Sequence, residues 1–408
     1  SGITAFGNAL PSFDDSPTIK GMARRFMTTV TIVFFVVLCG GRAVSQTHSP
    51  GPGWTGPPKA RAPENSVFDE ERTLFGFFPS SPAPTLQAVL TLFKDLGEHA
   101  DFTLIQPNIP WKDFANDVEG QSKLRQEIIN QVVLTRHHGL EAAVVVDPLN
   151  GLNRREFHEL PFGWRASFGT EKVRKAYLNF VRWIVTTFEP RYLGLASEIN
   201  TYMDAHPEDA PNFISLYNEA YRTIKVLSPG TQVFVTFQWD DLRNMISEAA
   251  EGRTPDTINW EQMEAFEPHL DLWAISSYPY FVFGGDTPIP PDYYTPLLNR
   301  TGKPLAVAEG GFSTGSVGAL NLDYDDQIGY LEAIHDQLGE RLTFWVYLLL
   351  YDLDMEALGE QWYQLGLDTD DFGTLSLFSD IGFKHDPGSP KPALEVWDMY
   401  REEAMKGR

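Results

Sequence analysis

The sequence predicts one α/β domain, a single (β/α)8 TIM barrel over residues 71–408. Three observations lead there. Short apolar runs alternate with longer amphipathic ones, eight such pairs follow one another in a single series, and no repeat of solenoid length interrupts them. Parallel strands need long crossovers, which the amphipathic stretches supply, and eight units in one series imply closure rather than an open sheet.

The first strand is expected near Leu74 to Phe78, with a helix from Thr85 to Leu96 whose Leu86, Val89, Leu90 and Phe93 share one face. The second unit pairs Phe102 to Gln106 with a helix from Ser122 to His138. Ala142 to Val146 forms strand three, ending at Asp147-Pro148, and its helix from Glu171 to Phe188 repeats Val173, Tyr177, Val181 and Ile184 at helical spacing. Strand four is Tyr192 to Ala196, and the helix from Pro211 to Leu227 stops at the breaker Ser228-Pro229-Gly230. Strand five, Val233 to Phe237, runs into Gln238-Trp239-Asp240. Strand six, Leu272 to Ser276, leads into Tyr278-Pro279-Tyr280 and a short helical turn near Asp292 to Leu298. Strand seven is Leu305 to Ala308 with a helix from Asp325 to Leu338, and strand eight is Thr343 to Leu349 with a last helix from Pro392 to Ala404.

Ahead of the barrel the sequence has another character. Met22-Ala23-Arg24-Arg25, the apolar run Thr31 to Leu38 and Ala43-Val44-Ser45 make the three parts of a secretory signal peptide over 22–45. The apolar run is well short of the ~20 residues of a spanning helix, so no stable membrane span is expected in the mature protein, which is read as secreted. Residues 1–21 read as an upstream extension, and 46–70 as a disordered Pro/Gly-rich linker. The sole cysteine, Cys39, lies in the signal segment, so no intramolecular disulfide or cysteine metal site is available. Lipid attachment there is disfavoured by the bulky Leu38 before it.

The formal net charge of -23 argues against nucleic acid or an anionic membrane surface as a partner and fits a neutral substrate. The 10 Trp and 15 Tyr suit either a large core or stacking of sugar rings.

Two segments carry the chemistry. Leu193-Gly194-Leu195-Ala196-Ser197-Glu198 and Pro304-Leu305-Ala306-Val307-Ala308-Glu309 each place one glutamate where an apolar run ends. An unpartnered charge there is costly, so function is the reason to keep it. Barrel active sites are built at the C-terminal ends of the strands, where Glu198 and Glu309 fall, with Gln106, Asp147, Trp239, Tyr278 and Asp352. Two carboxyls facing across one pocket suit glycoside hydrolysis, and a separation of ~5 Å selects the retaining route.

Here the chain resembles the retaining glycoside hydrolases of clan A. That resemblance implies Glu198 as acid/base, starting protonated, and Glu309 as nucleophile, kept ionised by Tyr278, within Asp271-Leu272-Trp273-Ala274-Ile275-Ser276-Ser277-Tyr278-Pro279. Tyr280 is the alternative carrier of that contact. Trp345 on strand eight matches the tryptophan that floors the sugar site, and Gly382-Phe383 with Gly388-Ser389-Pro390-Lys391-Pro392-Ala393-Leu394 resembles the clan's tail. The clan usually has an asparagine just before the acid/base, whereas Ser197 stands there, so either Ser197 or Asn200 takes the sugar contact. No arginine ends strand one or two, where several clan families keep one.

Further substrate-binding candidates are Trp111, Trp239, Asp147 and Gln238, followed by Trp164, Trp362 and Asp240. His137 and His138 read as a solvated helix end and Asp368-Thr369-Asp370-Asp371 as a turn without calcium-loop spacing, so neither metal nor cofactor is expected. The expected function is an endo-β-glycanase of galactan or mannan type, near families 53, 5 and 113, acting on a plant or algal polysaccharide. The alternatives are an exo-acting β-glycosidase and a catalytically silent carbohydrate-binding barrel.

Overall fold

The computed structural model describes residues 66–116, 123–151, 153–246, 253–318, 320–367 and 369–407. The upstream extension, the signal peptide with Cys39, and the linker up to residue 65 lie outside the described residues, as does Asp368.

Eight parallel strands form the barrel: β1 Leu74–Phe77, β2 Phe102–Ile105, β3 Glu141–Val145, β4 Tyr192–Gly194, β5 in two pieces Gln232–Phe234 and Thr236–Gln238, β6 Trp273–Ser277, β7 Leu305–Gly310 and β8 Leu342–Tyr347. Each pairs with its neighbour in sequence, and β8 pairs back onto β1. The break in β5 at Val235 divides its pairing, the first piece bonding to β4 and the second to β6. Thr236 still donates its N–H to the Ala196 carbonyl at 3.1 Å, so the wall stays closed.

Helices follow the strands: α1 Leu86–His99, α2 Lys123–His137, α3 Glu171–Phe188, α4 Ala210–Leu227, the short α5 Trp260–Glu264 and α6 Thr295–Arg300, then α7 Tyr324–Leu338 and α8 Pro392–Lys406. Their ends have local causes. Glu189 after α3 takes the left-handed conformation at φ 47°, Pro211 opens α4, and Asp323 with Asp326 forms a reciprocal capping box at α7. On α1 the buried face is Leu92, Phe93 and Leu96, while Leu86 and Leu90 are exposed, a shift from the expected stripe. Among the described residues no helix is long and apolar enough to cross a membrane.

Aromatic side chains fill the barrel's lower interior. Phe344 of β8 reaches the rings of Phe102, Tyr192 and Phe234 at 5.7, 5.0 and 6.0 Å. Gly76 makes room for this layer, because a Cβ there would lie 2.7 Å from the Phe102 ring. The floor is closed from outside the repeats. Phe68, in the turn Val67–Asp69, packs on Phe102 at 5.5 Å and Tyr192 at 5.2 Å, and the Val67 N–H bonds to Glu141 at 2.8 Å. Residues 66–70, expected to be linker, therefore belong to the barrel, because its open floor is apolar and Phe68 covers it.

Candidate active site

The chain beyond β4 keeps strand geometry for two more residues, with the Leu195 N–H on the Phe234 carbonyl at 2.9 Å. Glu198 then adopts φ 48°, ψ 44°, a left-handed conformation costing a non-glycine residue roughly 1–3 kcal/mol. The Thr236 hydroxyl accepts its N–H at 2.8 Å and holds that turn. Across the barrel, β7 pairs Val307 with Ile275 but Glu309 with Ser276, so Ala308 is an extra residue. Such a bulge re-aims the next side chain, here the Glu309 carboxyl.

Both carboxyls are buried, Glu198 at 5% and Glu309 at 1% exposure. Glu198 Oε2 accepts from Arg154 Nε at 3.0 Å, and the Ser276 hydroxyl donates to Oε1 at 2.5 Å. The Tyr278 hydroxyl donates to Glu309 Oε1 at 2.7 Å, while Glu309 Oε2 is buried with no hydrogen-bond partner. Arg154, fully buried, also donates to Asp147 and reaches the Ser197 hydroxyl at 3.3 Å. Gln106 adds a bond to Asp147 at 3.1 Å.

Three carboxylates and one cation share this buried space. Burial first, then the charge of Glu198, push the Glu309 carboxyl well above the ordinary range, outweighing the pull of Arg154 and Tyr278.

Behind Tyr278 lies Asp240, fully buried. It accepts the Tyr278 N–H at 2.8 Å, the Tyr293 hydroxyl at 2.6 Å, Gln238 Nε2 at 3.0 Å and the Ser277 hydroxyl at 3.3 Å. Gln238 and Asp240 are therefore spent on holding the β5 and β6 ends together.

Of the expected site residues, the structure brings together Glu198, Glu309, Tyr278, Ser197 and Asp147. Others stand elsewhere. Asn200 faces β5, its amide bonded to the Gln238 carbonyl and N–H and to Asp241. Trp239 is wholly buried, stacked on Tyr294 and edge-on to Tyr293. Trp345 points outward from β8 onto Trp397 and Phe75, since Phe344 beside it takes the interior and side chains alternate along a strand. Tyr280 packs among Phe281, Phe312 and Phe378, with its hydroxyl on the Leu377 carbonyl. Trp111 spends its indole N–H on the His158 carbonyl at 2.7 Å and borders a cavity of about 190 Å³ with Asn108, Lys112 and Glu159. Trp362 packs on Phe372, Trp164 is partly buried against the core, and Asp352 pairs with Lys391 at 2.7 Å.

Two contributors escaped sequence reasoning. Arg154 comes from the hairpin Leu149–Asn150 with Asn153–Phe157, inside the long loop after β3, and Ser276 from β6. The only signal for Arg154 was the charge imbalance of several acids converging on one barrel end.

No protein-family profile and no curated protein matches the sequence. Solved structures match the fold. An exo-β-1,4-mannosidase from an Opitutaceae bacterium superposes with a TM-score of 0.58 at 12% identity, over 82% of this chain and 60% of that one. GH5_18 from Bifidobacterium longum subsp. longum gives 0.57 at 14% identity, over 82% of this chain and 80% of that one. A GH5_18 variant from Streptomyces cattleya, in complex with Manβ1-4GlcNAc, gives 0.57 at 14% identity, over 81% of each chain. This chain thus spans less than two thirds of the mannosidase, and the likeness is one of (β/α)8 fold.

Proposed function

We propose that the protein is a retaining glycoside hydrolase in which Glu309 is the nucleophile and Glu198 the acid/base. The observation that carries this reading is the meeting of Glu198 and Glu309 at the ends of β4 and β7: Ser276, the register partner of Glu309 on β6, donates its hydroxyl to Glu198 at 2.5 Å. Each carboxyl is tethered through one oxygen by a group that cannot leave it easily, Arg154 on Glu198 and Tyr278 on Glu309. Glu309 Oε2, with no partner, is the atom that attacks the anomeric carbon. Cleavage proceeds by double displacement: a glycosyl ester forms on Glu309 as the leaving oxygen takes a proton from Glu198, and water then releases the sugar.

The substrate is a neutral β-linked glycan. The names of the superposed structures favour β-mannosidic linkages as the first to try, in line with the mannan-type expectation. A chain-end mode of action is favoured over internal cleavage by one observation: the 149–157 hairpin brings Arg154 in beside the carboxyls, and both are almost fully enclosed. Export through the 22–45 segment belongs to the same proposal.

The test is an assay of purified protein, Glu309→Gln and Glu198→Gln on aryl β-glycosides and mannan. The wild type is expected to release product of retained anomeric configuration, and Glu309→Gln to lose at least about a thousandfold in kcat. A wild type inert on every β-glycoside sinks the reading. Release of single sugars from the first turnover supports chain-end action, whereas a rapid fall in mannan viscosity contradicts it.

A further inference from the structure

Both oxygens of Glu198 are engaged, and their partners differ in kind. Oε2 accepts from Arg154, and Oε1 meets Ser276. A guanidinium has N–H donors, no acceptor, and keeps its charge, so an oxygen bound to it can only accept. A serine hydroxyl rotates and takes either role. A proton on Glu198 therefore belongs on Oε1.

Arg154 is in no position to drift. Asp147 and Ser197 hold its other nitrogens, and against the cost of burial the charges of Asp147 and Glu198 raise its proton affinity. The hairpin that carries it is moored on three sides. Asn108 Nδ2 donates to the Leu149 carbonyl at 3.0 Å, Trp111 donates to the His158 carbonyl, and His206 Nε2 lies 2.8 Å from the Arg155 carbonyl.

We propose that Arg154 is the positioning residue that makes Glu198 a one-sided acid, reserving Oε2 as an acceptor and leaving Oε1 to give and take the proton. Ser276 is the resting partner of Oε1 that the glycosidic oxygen displaces. This rests on the hydrolase reading. In the first half-reaction Glu309 Oε2 bonds to the anomeric carbon, the anomeric C–O bond breaks, and the departing oxygen takes the proton from Oε1. In the second, water returns a proton to Oε1 as its oxygen displaces Glu309. The charged and titratable groups that act on the Glu198 carboxyl are Arg154 from the hairpin, Tyr278 after β6 and Glu309 on β7, with Asp147 after β3 on the far side of Arg154.

The experiment compares kcat/KM for the wild type, Arg154→Gln and Arg154→Lys on two substrates with the same sugar. One carries a 2,4-dinitrophenyl leaving group, which departs without a proton, and the other a methyl or sugar leaving group, which does not. Both variants are expected to lose about a hundredfold on the poor leaving group and less than about tenfold on the dinitrophenyl glycoside, the pattern of a misplaced general acid. Equal losses on both substrates, or wild-type rates on both, overturn the proposal. Arg154→Lys keeps the buried positive charge, and it carries the test where Arg154→Gln fails to give a cooperative thermal transition. A wild type that cleaves neither substrate overturns the hydrolase reading itself, which separates that failure from this one.

Discussion

Tyr278 donates its hydroxyl to one oxygen of Glu309 at 2.7 Å, and the other oxygen of that carboxyl has no partner. Burial and then the charges of Glu309 and Glu198 push the Tyr278 hydroxyl well above its ordinary value, so it remains a donor at neutral pH. Replacing it with phenylalanine removes one hydrogen bond to a charged group, worth about 1.5–3 kcal/mol. Tyr278→Phe is expected to lower kcat by roughly ten- to a hundredfold with a smaller change in KM, measured by steady-state kinetics on an aryl glycoside.

Glu309 also makes stability depend on pH. Its folded carboxyl is held above the ordinary range by burial first and Glu198 second, whereas the unfolded chain titrates in that range. The folded state thus keeps a proton that the unfolded state releases. Stability from this group is complete below the ordinary carboxylate range and is lost as pH rises through the raised value. Glu309→Gln has no proton to lose. Its Tm is expected to exceed the wild-type value near about pH 8, with the gap closing toward about pH 4. Parallel melting curves at all pH values would contradict this.

Asp240 supports Tyr278 from behind, through the Tyr278 N–H and the Tyr293 hydroxyl. Truncation to alanine strands both donors in the core, so Asp240→Ala is expected to cost about 2–4 kcal/mol in urea unfolding. Asp240→Asn keeps one acceptor and is expected to recover part of that loss, with kcat falling more than KM rises in either variant.

Trp345 separates packing from sugar contact. Its ring lies against Trp397 and Phe75 on the outer side of β8. Trp345→Phe is expected to lower stability by about 1–2 kcal/mol while leaving KM unchanged. A raised KM at unaltered stability would place the indole in the sugar site instead.

The order of elements was legible because hydrophobic periodicity is a local property. The helix from Glu171 to Phe188 has the expected ends, and the other expected strands and helices start and end within three residues of the observed ones. Glu198, Glu309 and Tyr278 were legible for a related reason: a polar group closing an apolar run stands out in one dimension, and the barrel dictates where strand ends gather.

The sequence by itself determined eight βα units and the two glutamates that end strands four and seven. The tertiary structure decided which side chains meet them. Trp345 and Phe344 are neighbours in sequence, and only the register of β8 turns one outward and the other inward. Glu309 owes its aim to a bulge at Ala308, and Arg154 reaches Glu198 from 44 positions away on a hairpin outside the repeats. Phe68, from the expected linker, closes the floor. Periodicity is written along the chain, whereas charge balance and ring packing depend on distances that exist only once the barrel has closed.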